Sequence, residues 1–449
     1  MAGYFRLAVM IGVGVGCAGA VAAQEVRTGA AAFGDWRTDA PGVTRLVRPA
    51  DVVSADPAAT AANRSRVVPR PDNAVLRTMP GFTVAPFLTG MTGARVIRVA
   101  PNGDVFLARS RPDGKIMVLR AAAGADAPGQ VSVFADKDLK DPYGIAFWPP
   151  GPQPRFVYVG EAGKVVRYAY KPGDMVASGP AETVVDDLPP GGVHWTRDIA
   201  FSPDGATLFV AVGSSNNVAA DMGARPGDLA AFERSHAVGA TWDNNEYRAD
   251  VLAYDADGKH RRIVAAGVRN CSGLMVRPGT SEIWCATNER DLLGDNTPPD
   301  YVTHIQPGGF YGWPWFYIGG HEDLRAAGGP RPELRARVIV PDVLIQPHSA
   351  PLGIAFDTSS QFPAAWKGDA FVALHGSWNR ANHTGYKIVR LPFRDGKPTG
   401  EYQDFVVGFT DGDQDVWGRP VDVAFAADGA LLFSDDANGV VYRVSYKAP

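Results

Sequence analysis

One pattern repeats along this chain: an apolar strand, a turn rich in Pro, Asp, Asn and Gly, and a second apolar strand. Clear copies read "VIRVAPNGDVFLARS", "RDIAFSPDGATLFVAVGS" and "VDVAFAADGALLFSDD", and six copies occur at irregular spacing. Such hairpin units bury both of their faces only when they stack against their neighbours. The repeat therefore predicts an all-β fold, a six-bladed β-propeller, with a generic β-sandwich as the alternative.

Length and charge limit the classes of partner. The 449 residues suffice for a large core, and all-β propellers often run long as a single unit. The formal net charge is only −4 and the basic residues are not clustered. This balance argues against nucleic acid or an anionic membrane surface as the main partner.

The N-terminus has the features of a secretory signal. It reads "MAGYFRLAVMIGVGVGCAGAVAAQEV", with Arg6 before a short apolar run and "VAAQ" as a cleavage site after Ala23. We predict a signal peptide over residues 1–23, with an ordinary buried helix as the alternative. The mature protein would then be periplasmic and would not span the membrane. Cys17 is a weak candidate for lipid attachment.

Two further regions follow the signal. Residues 24–75 are rich in Ala, Pro, Arg and Asp with weak apolar periodicity, which predicts an extended arm lying over the main body or partly disordered. Residues 76–449 form the predicted propeller domain. Within it Cys271 and Cys285 flank one hairpin, and the sequence leaves open whether they form a disulfide or two buried free thiols. No C-x-x-C-H haem site is present.

The ends of the inner strands of a propeller face its central channel, where ligand sites collect. The residues just before the "DIAF", "GLMV", "GIAF" and "DVAF" strands should therefore converge on one mouth. They are His194, Arg197, Arg269, Asn270, His348 and Arg419.

Several cations in one mouth point to an anionic ligand. Arg197, Arg269 and Arg419, with Arg380 or Lys387 as possible additions, would repel one another unless an anion lay among them. A polycarboxylate or a phosphate fits best. The alternative is that each arginine pairs with a nearby acid such as Asp198 or Asp422.

His194 could act as a general base on a substrate hydroxyl, because an imidazole titrates near neutral pH; a structural role is the alternative. The segment "NERDLLGDNTPPDY" brings Asp291, Asp295 and Asp300 into one loop that could bind a hard cation such as calcium, or could simply be solvated. Trp313 and Trp315 could form a platform for a sugar or pack between blades.

No Gly-rich phosphate loop, G-x-S-x-G elbow or H-E-x-x-H motif is present. The set "GVRNCSGLMVRP", "NERDLLGD", "PPDY", "GGFYGWPW", "PHSAPLGIAFD" and "HGSWNR" resembles the sorbosone dehydrogenase branch of the soluble pyrroloquinoline quinone (PQQ) sugar dehydrogenases. The resemblance runs from about Pro80 to the C-terminus. It implies a six-bladed propeller with PQQ and Ca²⁺ at its mouth, a sugar or sugar aldehyde as substrate, and a separate cytochrome or quinone as electron acceptor.

The resemblance also implies residue roles. His194 would be the catalytic base, and Asp300 would approach the substrate. Arg269 and Asn270 would contact the reactive edge of the quinone, and Arg419 would bind one of its carboxylates. The backbone carbonyls after "NE", placed at Asp291 and Leu292, would bind calcium.

The sequence departs from the glucose-oxidising branch of that family in three places. Val421 stands where a second arginine is expected, and Arg380 is our candidate to replace that cation. Ser214 stands where an aspartate would orient the histidine, and the calcium loop carries the extra residues "LLGDNTPP". A calcium-dependent propeller lactonase and a non-enzymatic binding propeller are the competing functions.

Overall fold

The computed structural model describes residues 25–448, so the predicted signal peptide and Cys17 lie outside the described residues. The prediction of an all-β chain is confirmed. The α-helix Leu229–Ser235 is the only one in the described part of the chain, and no helix there is long and apolar enough to cross a membrane.

Six sheets each contain a run of four antiparallel strands. The first sheet contains Ala94–Val99, Val105–Arg109, Lys115–Arg120 and Gln130–Ala135, and the second contains Ile145–Trp148, Phe156–Glu161, Lys164–Ala169 and Glu182–Val185. The third contains Ile199–Phe201, Thr207–Val212, Asp250–Asp255 and Arg262–Ala266, and the fourth contains Cys271–Val276, Ile283–Thr287, Asp300–His304 and Val343–Ile345. The fifth contains Pro351–Phe356, Ala370–Leu374, Lys387–Leu391 and Tyr402–Val407, and the sixth contains Pro420–Phe425, Leu431–Asp435, Val440–Tyr446 and Phe82–Leu88.

The six sheets form a closed ring. The first strand of each sheet contacts the first strand of the next, and that of the sixth sheet contacts that of the first. The ring is closed by chain segments far apart in sequence, because Phe82–Leu88 pairs antiparallel with Val440–Tyr446. Neighbouring sheets bury apolar side chains between them, as Phe106 and Ile145 do between the first and second.

An ion-pair belt links inner strands across the ring. Arg98 on the first sheet donates Nη2 to Asp198 at 2.7 Å and Nη1 to Asp422, on the sixth sheet, at 2.6 Å. Asp198 also accepts the backbone N–H of Leu274, on the fourth sheet, at 2.8 Å. Both acids are buried. The two aspartates that the sequence offered as partners for Arg197 or Arg419 therefore pair with Arg98 instead.

The N-terminal arm adds strands to the ring. Thr44–Leu46 pairs antiparallel with Tyr402–Val407 at the edge of the fifth sheet, and Val26–Thr28 extends it further in parallel. The shorter strands elsewhere are Arg66–Val67, Arg77–Thr78, Gly309–Phe310, Phe316–Tyr317, His321–Glu322, Phe393–Arg394, Lys397–Pro398, Thr410–Asp411 and Asp415–Val416. The 3-10 helices are Gly29–Phe33, Trp36–Thr38, Pro49–Asp51, Pro57–Ala59, Asp243–Asn245, Pro332–Arg337 and Ala364–Trp366.

A disulfide bond joins Cys271 and Cys285, whose Cα atoms are 5.4 Å apart. This decides between the two states that the sequence left open. The bond connects the first two strands of the fourth sheet directly after Arg269 and Asn270, so it anchors the segment that carries both residues.

Candidate active site

A cavity of about 110 Å³ lies among the segments that precede the inner strands of the third, fourth and fifth sheets. Its walls are formed by His194, Arg269, Asn288, Glu289, Asp291, Asp300, His348, Ala350, Gly376 and Trp378. Five of the residues singled out in the sequence thus meet here, because each stands just before an inner strand or in the loop after "NE".

The imidazole of His194 is held in one tautomer. Its Nδ1 lies 2.9 Å from the backbone oxygen of Ser214 and 2.9 Å from Ser214 Oγ. A carbonyl can only accept, and Ser214 Oγ already donates its hydrogen to the carbonyl of Asn216 at 2.8 Å. Nδ1 must therefore carry the hydrogen, which leaves the lone pair of Nε2 free to accept a proton.

The electrostatics of the cavity keep His194 neutral. Burial lowers the pKa of His194 well below its ordinary value of 6.5, and the guanidinium of Arg269 lowers it further. The ring lies against Gly213, where a Cβ would come within 2.5 Å of the histidine Cβ. A side chain at Gly213 would displace the base, so the glycine is needed for close approach.

Arg269 is fixed by backbone and side-chain oxygens. Its Nη1 donates to the carbonyl of Glu289 at 2.6 Å, and its Nη2 donates to Asn217 Oδ1 at 3.0 Å and faces Asp291 Oδ2 at 3.3 Å. The neighbouring Asn270 is buried, and its Oδ1 has no hydrogen-bond partner among residues 25–448. Arg269 Nε is buried without a partner in the same part of the chain.

Two carboxyl groups in the wall have raised pKa values. Burial raises the pKa of Asp300 to about 8 and that of Glu289 to about 7. Asp300 accepts the backbone N–H of Glu289 and that of Ala350, both at 2.8 Å. Asp300 therefore joins the segment after strand Ile283–Thr287 to the segment before the fifth sheet, in addition to lining the cavity.

His348 is held by the same loop. Its Nε2 lies 2.9 Å from the carbonyl of Gly294, which can only accept, so Nε2 carries the hydrogen. Its Nδ1 lies 3.8 Å from Asp291 Oδ1. Burial lowers the pKa of His348, which favours the neutral ring.

The two carbonyls expected to bind calcium already have donors. The carbonyl of Asp291 accepts Asn217 Nδ2 at 2.9 Å, and the carbonyl of Leu292 accepts Arg325 Nη1 at 2.5 Å. A calcium ion on this pair would have to displace a guanidinium, so the pair as arranged does not fit the metal. Among residues 25–448 no group of three or more His, Cys, Asp and Glu side chains is arranged to hold a metal ion.

Four of the predicted cations lie outside the cavity wall. Arg197 is fully buried, and its Nη atoms donate to three backbone carbonyls. Lys387 is buried beneath the arm between Asp39 and Asp404, with each contact 2.8 Å. Neither side chain lines the cavity.

The other two of these cations hold neighbouring segments. Arg380 Nη2 donates to the carbonyl of Phe33 in the arm at 2.6 Å and to Asn296 at 2.9 Å. Arg419 pairs with Asp436 through Nη2 at 3.0 Å, and its side chain remains 31% exposed. Arg419 thus has a partly exposed side chain that is paired with Asp436, whereas Arg380 is engaged with the arm.

The remaining candidates, Trp313, Trp315 and Asp295, contact other parts of the protein and do not line the cavity. Trp313 and Trp315 are buried in one apolar cluster, and Trp313 Nε1 donates to the carbonyl of Asn217 at 3.1 Å. Packing, the second of the two alternatives, is what the structure shows. Asp295 accepts the backbone N–H groups of Ala61 at 3.0 Å and of Ala381 at 2.8 Å.

Sequence reasoning gave no role to Asn217, Asn288, Glu289 or Trp378, all of which belong to this site. Asn217 bonds both Arg269 and Asp291; the loop that it begins, residues 217–247, is expected from the sequence to form part of the pocket wall, but the shape of that loop could not be derived. Glu289 and Trp378 line the cavity. Both occur inside the motifs "NERDLLGD" and "HGSWNR", but a motif does not indicate the direction in which these side chains point.

The TrAA12-like family model matches residues 76–308 and 334–447, so the chain belongs to the TrAA12-like family. The chain is thereby related to PQQ-dependent pyranose and aldose sugar dehydrogenases, as the motifs implied.

Three particular relatives illustrate the relationship. A PQQ-dependent pyranose dehydrogenase of Coprinopsis cinerea is 24% identical over 428 residues, which cover 81% of this chain and 54% of the relative. An uncharacterised protein of Borreliella burgdorferi is 37% identical over 202 residues, which cover 44% of this chain and 52% of the relative. The chain spans about half the length of these curated relatives.

The third is the solved holo form of the PQQ domain of pyranose dehydrogenase from Coprinopsis cinerea. It superposes with a TM-score of 0.66 at 22% identity and covers 84% of this chain and 98% of that chain. This likeness shows that the chain shares the β-propeller fold.

Proposed function

We propose that this chain is a quinoprotein dehydrogenase that oxidises an aldose or a sugar aldehyde such as sorbosone, with PQQ as cofactor and His194 as general base. Its family membership and the names of its relatives support the reaction class. The observation that carries the proposal is the imidazole of His194, whose Nδ1–H is tied to Ser214 while Nε2 is left to accept a proton.

The residues of the cavity fit a planar polycarboxylate quinone. Arg269 supplies a cation at the wall, and two buried polar atoms beside it, Arg269 Nε and Asn270 Oδ1, have no protein partner within the described residues. Trp378 presents an indole that is 36% exposed. We propose that Arg269 and Asn270 hold the quinone edge and that the partly exposed Arg419 meets a carboxylate. When bound, PQQ supplies the acceptor for the hydride.

His194 performs the proton transfer. As the hydride leaves the sugar carbon, the hydroxyl proton on that carbon passes to His194 Nε2, and an aldose is thereby converted to its lactone. The carbonyl of Ser214 stabilises the Nδ1–H of the imidazolium that forms. Arg269 disfavours a proton on His194 before reaction, so the base is ready at neutral pH.

We expect purified protein to bind PQQ with saturable quenching of tryptophan fluorescence and to reduce a dye in the presence of aldoses or sorbosone. Arg269→Met should weaken PQQ binding at least tenfold, because a charge-assisted contact contributes about 1.5–3 kcal/mol. Arg66→Ala, which removes an exposed arginine paired with Asp415, is the matched control. Absence of any quenching would reject the dehydrogenase and favour the lactonase or the binding propeller.

Calcium binding should be governed by Arg325. Because its guanidinium occupies the carbonyl of Leu292, Arg325→Met should raise the affinity for Ca²⁺ about tenfold, the equivalent of one charged hydrogen bond. Isothermal titration of the wild type and the variant with CaCl₂ measures this. Equal affinities would show that calcium binds elsewhere or not at all.

We further propose that the ring is a six-bladed propeller over residues 76–449, preceded by an arm over residues 24–75 and a signal peptide over residues 1–23. Such a protein would work in the periplasm. Its electrons would pass to a separate cytochrome or quinone.

A further inference from the structure

The N-terminal arm reaches the candidate active site. Residues 53–64, which we call the mouth segment, lie outside the range matched by the family model. They pass between two loops that line the cavity: the fourth-sheet loop, residues 291–297, and the fifth-sheet loop, residues 377–383. Asp291 belongs to the first loop and Trp378 to the second.

The mouth segment is bonded to the fourth-sheet loop at three points. Asp56 N–H donates to the carbonyl of Leu293 at 2.7 Å, and Ala61 N–H donates to Asp295 Oδ1 at 3.0 Å. Thr297 Oγ1 donates to the carbonyl of Val53 at 2.8 Å.

It is bonded to the fifth-sheet loop around Asn63. The N–H of Asn63 donates to the carbonyl of Trp378 at 2.8 Å, and its Nδ2 donates to the carbonyl of Ala381 at 2.9 Å. Asn379 Nδ2 donates to the carbonyl of Ala61 at 2.9 Å. The guanidinium of Arg64 lies over the indole of Trp378, 5.1 Å from its centroid.

Asp295 connects all three segments. One of its oxygens accepts Ala61 N–H from the mouth segment, and the other accepts Ala381 N–H from the fifth-sheet loop. The two loops also bond each other directly, through Leu292 N–H to Asn379 Oδ1 at 2.8 Å and Arg380 Nη2 to Asn296 Oδ1 at 2.9 Å, and the mouth segment adds a second connection that the family model does not include. Because the mouth segment is hydrogen-bonded to both loops, these bonds hold each loop in one conformation.

We propose that the mouth segment is a positioning and specificity-determining element of the active site, with Asn63 in the segment and Asp295 in the fourth-sheet loop as the positioning residues and Arg64 as the group that fixes Trp378. The mouth segment sets the separation of the two walls, and therefore the size of sugar that enters. The effect on specificity rests on the proposed function; the positioning does not.

Hydrogen–deuterium exchange on the full chain tests the positioning without any cofactor. Asn63→Ala and Asp295→Ala should each speed exchange of amides 377–383 about tenfold, as expected for the loss of one or two hydrogen bonds. The double variant should exchange little faster than either single variant, because both changes loosen the same connection between the mouth segment and the two loops. Arg66→Ala, in the same arm but paired with Asp415, should leave these amides unchanged.

Kinetics on a panel of sugars tests the specificity. Asn63→Ala should raise KM for the best sugar about fivefold and change kcat less than about twofold. It should also narrow the difference in kcat/KM between small and large sugars. Unchanged exchange in Asn63→Ala overturns the positioning role whatever Asp295→Ala does, because Asp295→Ala also removes the direct bond to the N–H of Ala381. Changed exchange with an unchanged ranking of sugars overturns the specificity role. A chain without PQQ binding but with the expected exchange would contradict the proposed function alone.

Discussion

Replacing His194 by alanine should lower kcat for sugar oxidation by a factor of about 10²–10⁴, which is the range for loss of a positioned general base. PQQ binding should change little, since fluorescence quenching depends on Arg269 and Trp378 rather than on the base. The measurement is dye reduction at saturating sugar and quinone, combined with the PQQ titration. A variant that retains kcat would show that another group removes the proton.

The pH profile of the wild type provides an independent check on His194. Its lowered pKa means that the ring is neutral at pH 6.5 and above, and that the rate falls only as the pH drops below 6.5. Ser214→Ala, which removes one of the two acceptors of Nδ1–H, should lower kcat modestly because the carbonyl remains. An acidic limb centred above pH 6.5 would contradict this assignment.

Replacing Arg98 by alanine should destabilise the fold by about 3–5 kcal/mol, the usual cost of breaking a buried ion pair from one side. The change leaves Asp198 and Asp422 buried without their cation. Denaturant unfolding measures the loss, and Arg66→Ala serves as the control because its ion pair with Asp415 is exposed to solvent and should contribute little to stability.

The pH dependence of that loss has a defined sign. Burial raises the pKa values of Asp198 and Asp422, and the guanidinium of Arg98 lowers them. Without Arg98 both folded-state pKa values rise further above the unfolded value, so the variant loses stability progressively as the pH increases. The deficit should be smaller at pH 5 than at pH 8. Equal deficits, or a loss no larger than that of Arg66→Ala, would mean that the belt contributes little.

The sequence identified the hairpin repeat because its apolar strands and Gly turns are local signals. It also placed His194 and Arg269 in one cavity, since both precede inner strands. It could not separate Arg197 from Arg269, because the direction of a side chain before a strand depends on the preceding loop. Arg197 turns to backbone carbonyls, whereas Arg269 faces the cavity.

The contribution of the arm was beyond local reasoning. Thr44–Leu46 has only three residues in its strand, and its partner strand Tyr402–Val407 is remote in sequence. The same holds for Asn63, whose bonds to residues 378 and 381 exist only in the assembled fold. Weak apolar periodicity in a segment therefore says little about contacts made through backbone groups.

The pairing of Phe82–Leu88 with Val440–Tyr446 has a consequence for the order of assembly. During synthesis Phe82–Leu88 emerges well before its partner strand, because all of the other strands of the ring lie between them in sequence. Until then the sixth sheet lacks one edge and the ring stays open, with apolar faces and strand edges available to other chains. Contacts so distant along the chain also make folding slow. A protein of this topology therefore depends on completing Val440–Tyr446 before the open edge of the sixth sheet meets another chain.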